Sequence, residues 1–179
     1  SPREVEPAAA ADLLADVPPF VTATLVTMPD SAERVVELVR TIGPDAVQIH
    51  GEWTPDEIRY IRAETQRKVL LAVDAAEPGR AEELDAVADA LVLDSTDESG
   101  AGGTGETHDW TRAGELADRL TSPVVLAGGL TPDTVAEAIR AADPFAVDVA
   151  SGVELEGGRK DHNAVARFVA NAGREMELA

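Results

Sequence analysis

VLDSTDESGAGGTGETHDW (residues 92–110), VVLAGGLTPDTV (124–135) and AVDVASGVELEGGRKD (146–161) share one grammar: a short apolar run passes at once into a polar or glycine-rich turn. A barrel of alternating strands and helices builds its active site from the loops at the carboxyl ends of its strands. Candidate chemistry is therefore sought in these turns.

Working outward, further runs rich in Val, Leu and Ile make six in all, at 20–27, 46–50, 69–74, 90–95, 124–127 and 146–150. None alternates strictly, the pattern of parallel strands covered on both faces. Helical patterns lie around them at 8–16, 31–41, 55–66, 80–89, 110–120, 132–141 and 164–172. Asp30 and Thr54 stand three residues before Glu33 and Glu57 as expected caps, and Thr131 precedes Pro132 at an expected first helical position. Such β-then-α alternation predicts a parallel sheet with right-handed crossovers. No linker divides the sequence, so residues 1–179 are expected to form one domain. Six strands fit either an open doubly wound sheet or an incomplete barrel, since 179 residues fall short of the roughly 250 of a full eight-unit barrel.

Lys and Arg number 15 against 34 Asp and Glu, a net charge of −19. A surface so acidic repels phosphate backbones and anionic headgroups, which argues against nucleic acid and membrane partners but not against a small anion held locally. The charges are scattered through the helices, and the excess is read as an adaptation to high salt, which screens self-repulsion. There is no cysteine, hence no thiol chemistry or disulfide within these residues. No apolar run reaches the length of a membrane span and no secretory signal opens the chain, so a cytoplasmic protein is expected. Aromatic residues are scarce, so aliphatic side chains must fill the core.

Gly100, Gly102 and Gly105 match GxGxxG, but residues 95–99 separate them from the strand and the next strand ends in Ala127-Gly128-Gly129 rather than an acid. The dinucleotide fingerprint needs the opposite context, and a lid or phosphate loop fits better. Asp94 closes an apolar run, an environment able to raise a carboxyl pKa for general-acid work; capping of the next turn is the competing role. Asp74 is placed alike, and position does not choose between them. Asp148, between Val147 and Val149, must face the mouth of the sheet or find a partner. Gly128-Gly129 and Ser151-Gly152 each follow a strand and can offer bare N–H groups, as phosphate turns do after the last two strands of barrels. His50 ends a strand and is a candidate ligand contact, whereas His108 and His162 read as solvated or capping. No histidine pair has metal-ligand spacing, and no GxSxG elbow is present.

Taken in order, VQIHG (47–51), LDS (93–95), GGTG (102–105) before DW (109–110), LAGGLTP (126–132), VDVASGVE (147–154) and GRKD (158–161) closely resemble the phosphoribosylanthranilate isomerases of tryptophan biosynthesis. The likeness covers nearly the whole chain, and SPR at 1–3 resembles a motif after the family's second strand. The resemblance implies a (β/α)8 TIM barrel lacking its first two strands, with six βα units present. It also implies a cofactor-free Amadori rearrangement of a phosphosugar, N-(5-phosphoribosyl)anthranilate, to 1-(2-carboxyphenylamino)-1-deoxyribulose 5-phosphate. On this likeness Asp94 protonates the ribose ring oxygen and Arg3 engages the anthranilate carboxylate with its donor fork. His50 lines the pocket, Asp148 lies near the sugar hydroxyls, and Gly128, Gly129, Ser151 and Gly152 hold the phosphate. The family's Lys-x-Cys-Gly strand, whose cysteine moves the C2′ proton, has no counterpart here, and Ala150 replaces a common small polar residue. The chain is thus expected to be an amino-terminally incomplete isomerase. The alternatives are a non-catalytic phosphate-ligand binding module derived from the barrel, and another phosphosugar barrel with catalytic lysines or paired half-barrel aspartates; the only lysines are Lys68 and Lys160.

Overall fold

The computed structural model describes residues 3–94 and 110–176, with side chains to residue 173. The GxGxxG-like segment, Ser95 and His108 lie outside the described residues. Six strands, β1 (Thr24–Thr27), β2 (Ala46–Ile49), β3 (Lys68–Asp74), β4 (Ala90–Asp94), β5 (Val124–Ala127) and β6 (Ala146–Val147), form one sheet in that same order. Every neighbouring pair is parallel. A doubly wound sheet reverses its strand order at a switch point. The sequential order here leaves the singly wound barrel as the architecture.

Helices α2 (Ala32–Ile42), α3 (Pro55–Thr65), α4 (Pro78–Asp85), α5 (Trp110–Ala117) and α6 (Val135–Ala142) follow β1 to β5, with α1 (Pro7–Ala15) ahead of the sheet and α7 (His162–Met176) after it. Sheet and helices bury two aliphatic clusters. One centres on Val47, Ile49, Ile58, Ile61, Leu71, Leu91 and Leu93. The other gathers Leu126, Leu130, Val135, Val153 and Phe168 beneath the loops after β5 and β6.

Thr54 forms the expected capping box, accepting from the Glu57 N–H while the Glu57 carboxylate accepts from the Thr54 N–H at 2.8 Å. Elsewhere boundaries moved for local reasons. The cap of α2 is Ser31 rather than Asp30, its hydroxyl accepting from the Arg34 N–H at 3.3 Å. Pro132 lies in a turn ahead of α6, where the Thr131 N–H donates to Thr134 Oγ1 at 3.0 Å. The first strand starts at Thr24, where its pairing with β2 begins, and Phe20 stands outside it, fully exposed with φ of 71°. After β6 the Asp148 N–H still reaches Leu126 O at 2.8 Å; the backbone then bends at Ala150 into a 3-10 turn over Ser151–Val153. A small antiparallel hairpin, β7 (Glu154–Glu156) with β8 (Arg159–Lys160), follows and was not expected from the sequence.

Candidate active site

Parallel registers line up the carboxyl ends of the strands. Asp74 pairs with Asp94, Asp94 with Ala127, and Leu126 with Val147, so Asp94, Gly128-Gly129 and Asp148 stand side by side on one rim. Asp74 caps its own turn, accepting from the Ala76 N–H at 2.7 Å. The Asp94 charge reaches the Asp148 carboxyl.

Asp148 is open at the rim yet walled by neighbours that strip part of its hydration, and this desolvation raises its pKa above the ordinary carboxyl value. The Lys160 charge opposes the rise, the Asp94 charge adds to it, and His50 and the Val149 N–H oppose it. His50 itself is anchored through its backbone, its N–H donating to Thr27 O at 3.1 Å and its carbonyl accepting from Trp53 Nε1 at 3.0 Å. Its ring Nε2 lies 3.2 Å from Gln48 Nε2.

The two glycine turns are shaped by steric need. Gly128 and Gly129 have φ of 88° and 63°, consecutive left-handed residues that side chains strongly disfavour. Gly152 is in van der Waals contact with the preceding loop: a Cβ there would lie 1.8 Å from Leu130 O. Its Ser151–Gly152 turn is thereby docked on the Gly128–Leu130 loop, making the two turns one surface.

Arg3 enters from the other end of the chain. Its Nε donates to Glu154 Oε1 at 2.9 Å and its Nη2 to Glu154 Oε2 at 2.5 Å. Lys160 Nζ donates to the same Oε1 and to Ala150 O, both at 2.8 Å. These donors hold the Glu154 carboxyl down at about 2, the Arg3 hydrogen bond acting most strongly. The likeness to GVE and GRKD carried Glu154 and Lys160 without a role. The Gly157-Gly158 pair between short flanks was the local hairpin signal. Among the described residues no three His, Asp or Glu side chains cluster to hold a metal. No helix of the described residues is long and apolar enough to cross a membrane.

A sheet wound in one direction, with carboxylates and glycine turns gathered at its carboxyl end, is the layout of a barrel-type enzyme. Residues 1–171 match the family described as N-(5′-phosphoribosyl)anthranilate (PRA) isomerase. An N-(5′-phosphoribosyl)anthranilate isomerase of Halorubrum lacusprofundi is 87% identical over 179 residues, covering 100% of this chain and 84% of the relative. One from Natronomonas pharaonis is 58% identical, covering 97% of this chain and 82% of the relative. The crystal structure of the Thermotoga maritima phosphoribosylanthranilate isomerase superposes with a TM-score of 0.84 at 34% identity, covering 97% of this chain and 83% of that one. A phosphoribosylanthranilate isomerase solved with reduced 1-(o-carboxyphenylamino)-1-deoxyribulose 5-phosphate gives 0.81 at 31% identity, with 97% and 82% coverage. The chain belongs to the phosphoribosylanthranilate isomerase family.

Proposed function

We propose that the chain converts N-(5-phosphoribosyl)anthranilate to 1-(2-carboxyphenylamino)-1-deoxyribulose 5-phosphate, in the cytoplasm and within one barrel domain, with Asp94 as the proton donor. Asp94 gives its proton to the ribose ring oxygen as the C1′–O bond breaks and the anthranilate nitrogen lone pair forms a C1′=N iminium. Removal of the C2′ proton then yields an enolamine that tautomerises to the ketose. The family assigns that removal to a cysteine, a residue type these 179 positions do not contain.

The observation that carries this reading is the rim: Asp94 stands in register beside the turn of Gly128 and Gly129 and within electrostatic reach of Asp148. Gly128, Gly129, Ser151 and Gly152 hold the 5′-phosphate with backbone N–H groups. Asp148 faces the sugar hydroxyls, where its partly desolvated carboxyl can hydrogen bond to them. His50 lines the opposite wall, and Arg3 takes the anthranilate carboxylate. Placing a proton donor in this manner contributes about 10²–10⁴-fold in rate.

Complementation of a tryptophan auxotroph lacking this step tests the assignment. The complete gene is expected to restore growth and its Asp94→Asn form to fail; equal growth of both would remove Asp94 from the mechanism.

A further inference from the structure

We propose that Glu154 is the positioning residue for Arg3, aiming its guanidinium at the aryl carboxylate of the substrate, and that Lys160 ties this clamp to the phosphate turn. The inference rests on the reading of Arg3 given above. Arg3 precedes α1 in a stretch with no strand or helix of its own, so local structure does little to aim a side chain that has much rotamer freedom to lose. A contact from 151 residues away grips its guanidinium.

That contact has the form that fixes orientation. Glu154 grips the Nε–Nη2 edge in a two-point fork, which sets both the tilt and the roll of the guanidinium plane. A guanidinium presents five N–H donors, and its Nη1–Nη2 edge is geometrically separate from the edge that Glu154 takes. Glu154 is itself immobilised. It begins β7, accepts from Lys160 Nζ at 2.8 Å, and its side chain is only 5% exposed. Single exposed ion pairs hold little orientation; a forked pair inside a three-membered network holds more.

Charge balance keeps the trio attractive to an anion. Arg3 and Lys160 contribute +2 and Glu154 −1, leaving +1 on these three groups beside the Asp94 and Asp148 carboxyls of the rim. Lys160 also donates to the carbonyl of Ala150, the residue before the Ser151–Gly152 turn. One ammonium group thus joins the group that aims the clamp to the backbone that presents the phosphate donors.

Calorimetric titration of the full-length gene product with reduced 1-(o-carboxyphenylamino)-1-deoxyribulose 5-phosphate, and with its counterpart lacking the carboxyl group, tests this. Glu154→Gln is expected to weaken the carboxylated ligand about tenfold or more, the loss typical of a charged hydrogen bond, and to leave the other ligand within about twofold. Unchanged binding of the second ligand also verifies that the variant is folded. Arg3→Gln is run beside it and is expected to show the same selectivity. If Arg3→Gln affects neither ligand, the reading of Arg3 fails and the inference with it. If Arg3→Gln is selective but Glu154→Gln changes nothing, or weakens both ligands alike, Arg3 stands and the positioning role of Glu154 is overturned.

Discussion

Two acidic residues at the rim respond to pH in opposite directions. Asp148 has its pKa raised, first by desolvation, so the folded state holds its proton more tightly than the unfolded chain. Stability from this group is complete below the ordinary carboxyl pKa and is lost as pH rises through the elevated one. Asp148→Asn is therefore expected to melt higher than the parent near pH 7, with the gap closing toward pH values where both forms are neutral. Paired thermal melts across that range check it; a variant that melts lower at neutral pH would contradict it. Glu154 works the other way. Held at about 2 against an ordinary 4.5, it contributes stability above 4.5 that is lost as pH falls from there toward 2. Removing its charge with Glu154→Gln should flatten the acid limb of the melting curve, and an unchanged limb would show the pair to be without net effect.

At the level of elements, the contact between the loops after β5 and β6 is the most sensitive joint. Gly152→Ala places a methyl group into Leu130 O, which must push the 3-10 turn away from its neighbour. Overpacking of this kind costs about 1–3 kcal/mol, and inorganic phosphate binding should fall with it. Chemical denaturation and a phosphate titration measure both; a variant with parental stability and affinity would show that the two turns move independently. The cap of α3 is simpler: Thr54→Ala loses the hydroxyl half of the capping box, while the residue-54 N–H can still donate to Glu57, and should cost about 1 kcal/mol.

These elements also show what could be read from the chain. The runs that became β2 to β5 were legible because buried parallel strands need Val, Leu and Ile on both faces, and the glycine turns because left-handed backbone needs glycine. Pro132 misled: Thr131 before a proline is a helix start by local rule, yet the threonine pair 131 and 134 satisfies itself in a separate turn. In the hairpin Glu154 and Glu156 carry no apolar signal, which left the Gly157-Gly158 pair as its local cue. Arg3, Glu154 and Lys160 become one unit only through folding, so no spacing rule links them. Asp74 and Asp94 end their strands alike, so position did not rank them; only folding shows Asp74 bonding its own turn.

For the molecule as a whole, a net charge of −19 on 179 residues means strong self-repulsion unless salt screens it. Many of its arginines are spent in exposed pairs such as Arg34–Glu37 and Arg59–Asp56, which contribute little each. Melting temperature is expected to climb from dilute buffer to molar potassium chloride. A melting temperature that stays flat or falls over that series would remove salt adaptation as the reason for the acidic surface. The strand order supplies the remaining global statement: six parallel strands wound one way put the strand-end candidates Asp74, Asp94, His50 and Asp148 at the same end of the sheet.

The most direct test is a crystal structure of the full-length gene product with reduced 1-(o-carboxyphenylamino)-1-deoxyribulose 5-phosphate. The Asp94 carboxyl should lie about 2.6–3.2 Å, or one water, from the oxygen that derives from the ribose ring, with the phosphate on the N–H groups of the Gly128-Gly129 and Ser151-Gly152 turns. A phosphate bound elsewhere, or an Asp94 carboxyl beyond reach of that oxygen even through one water, would contradict the account.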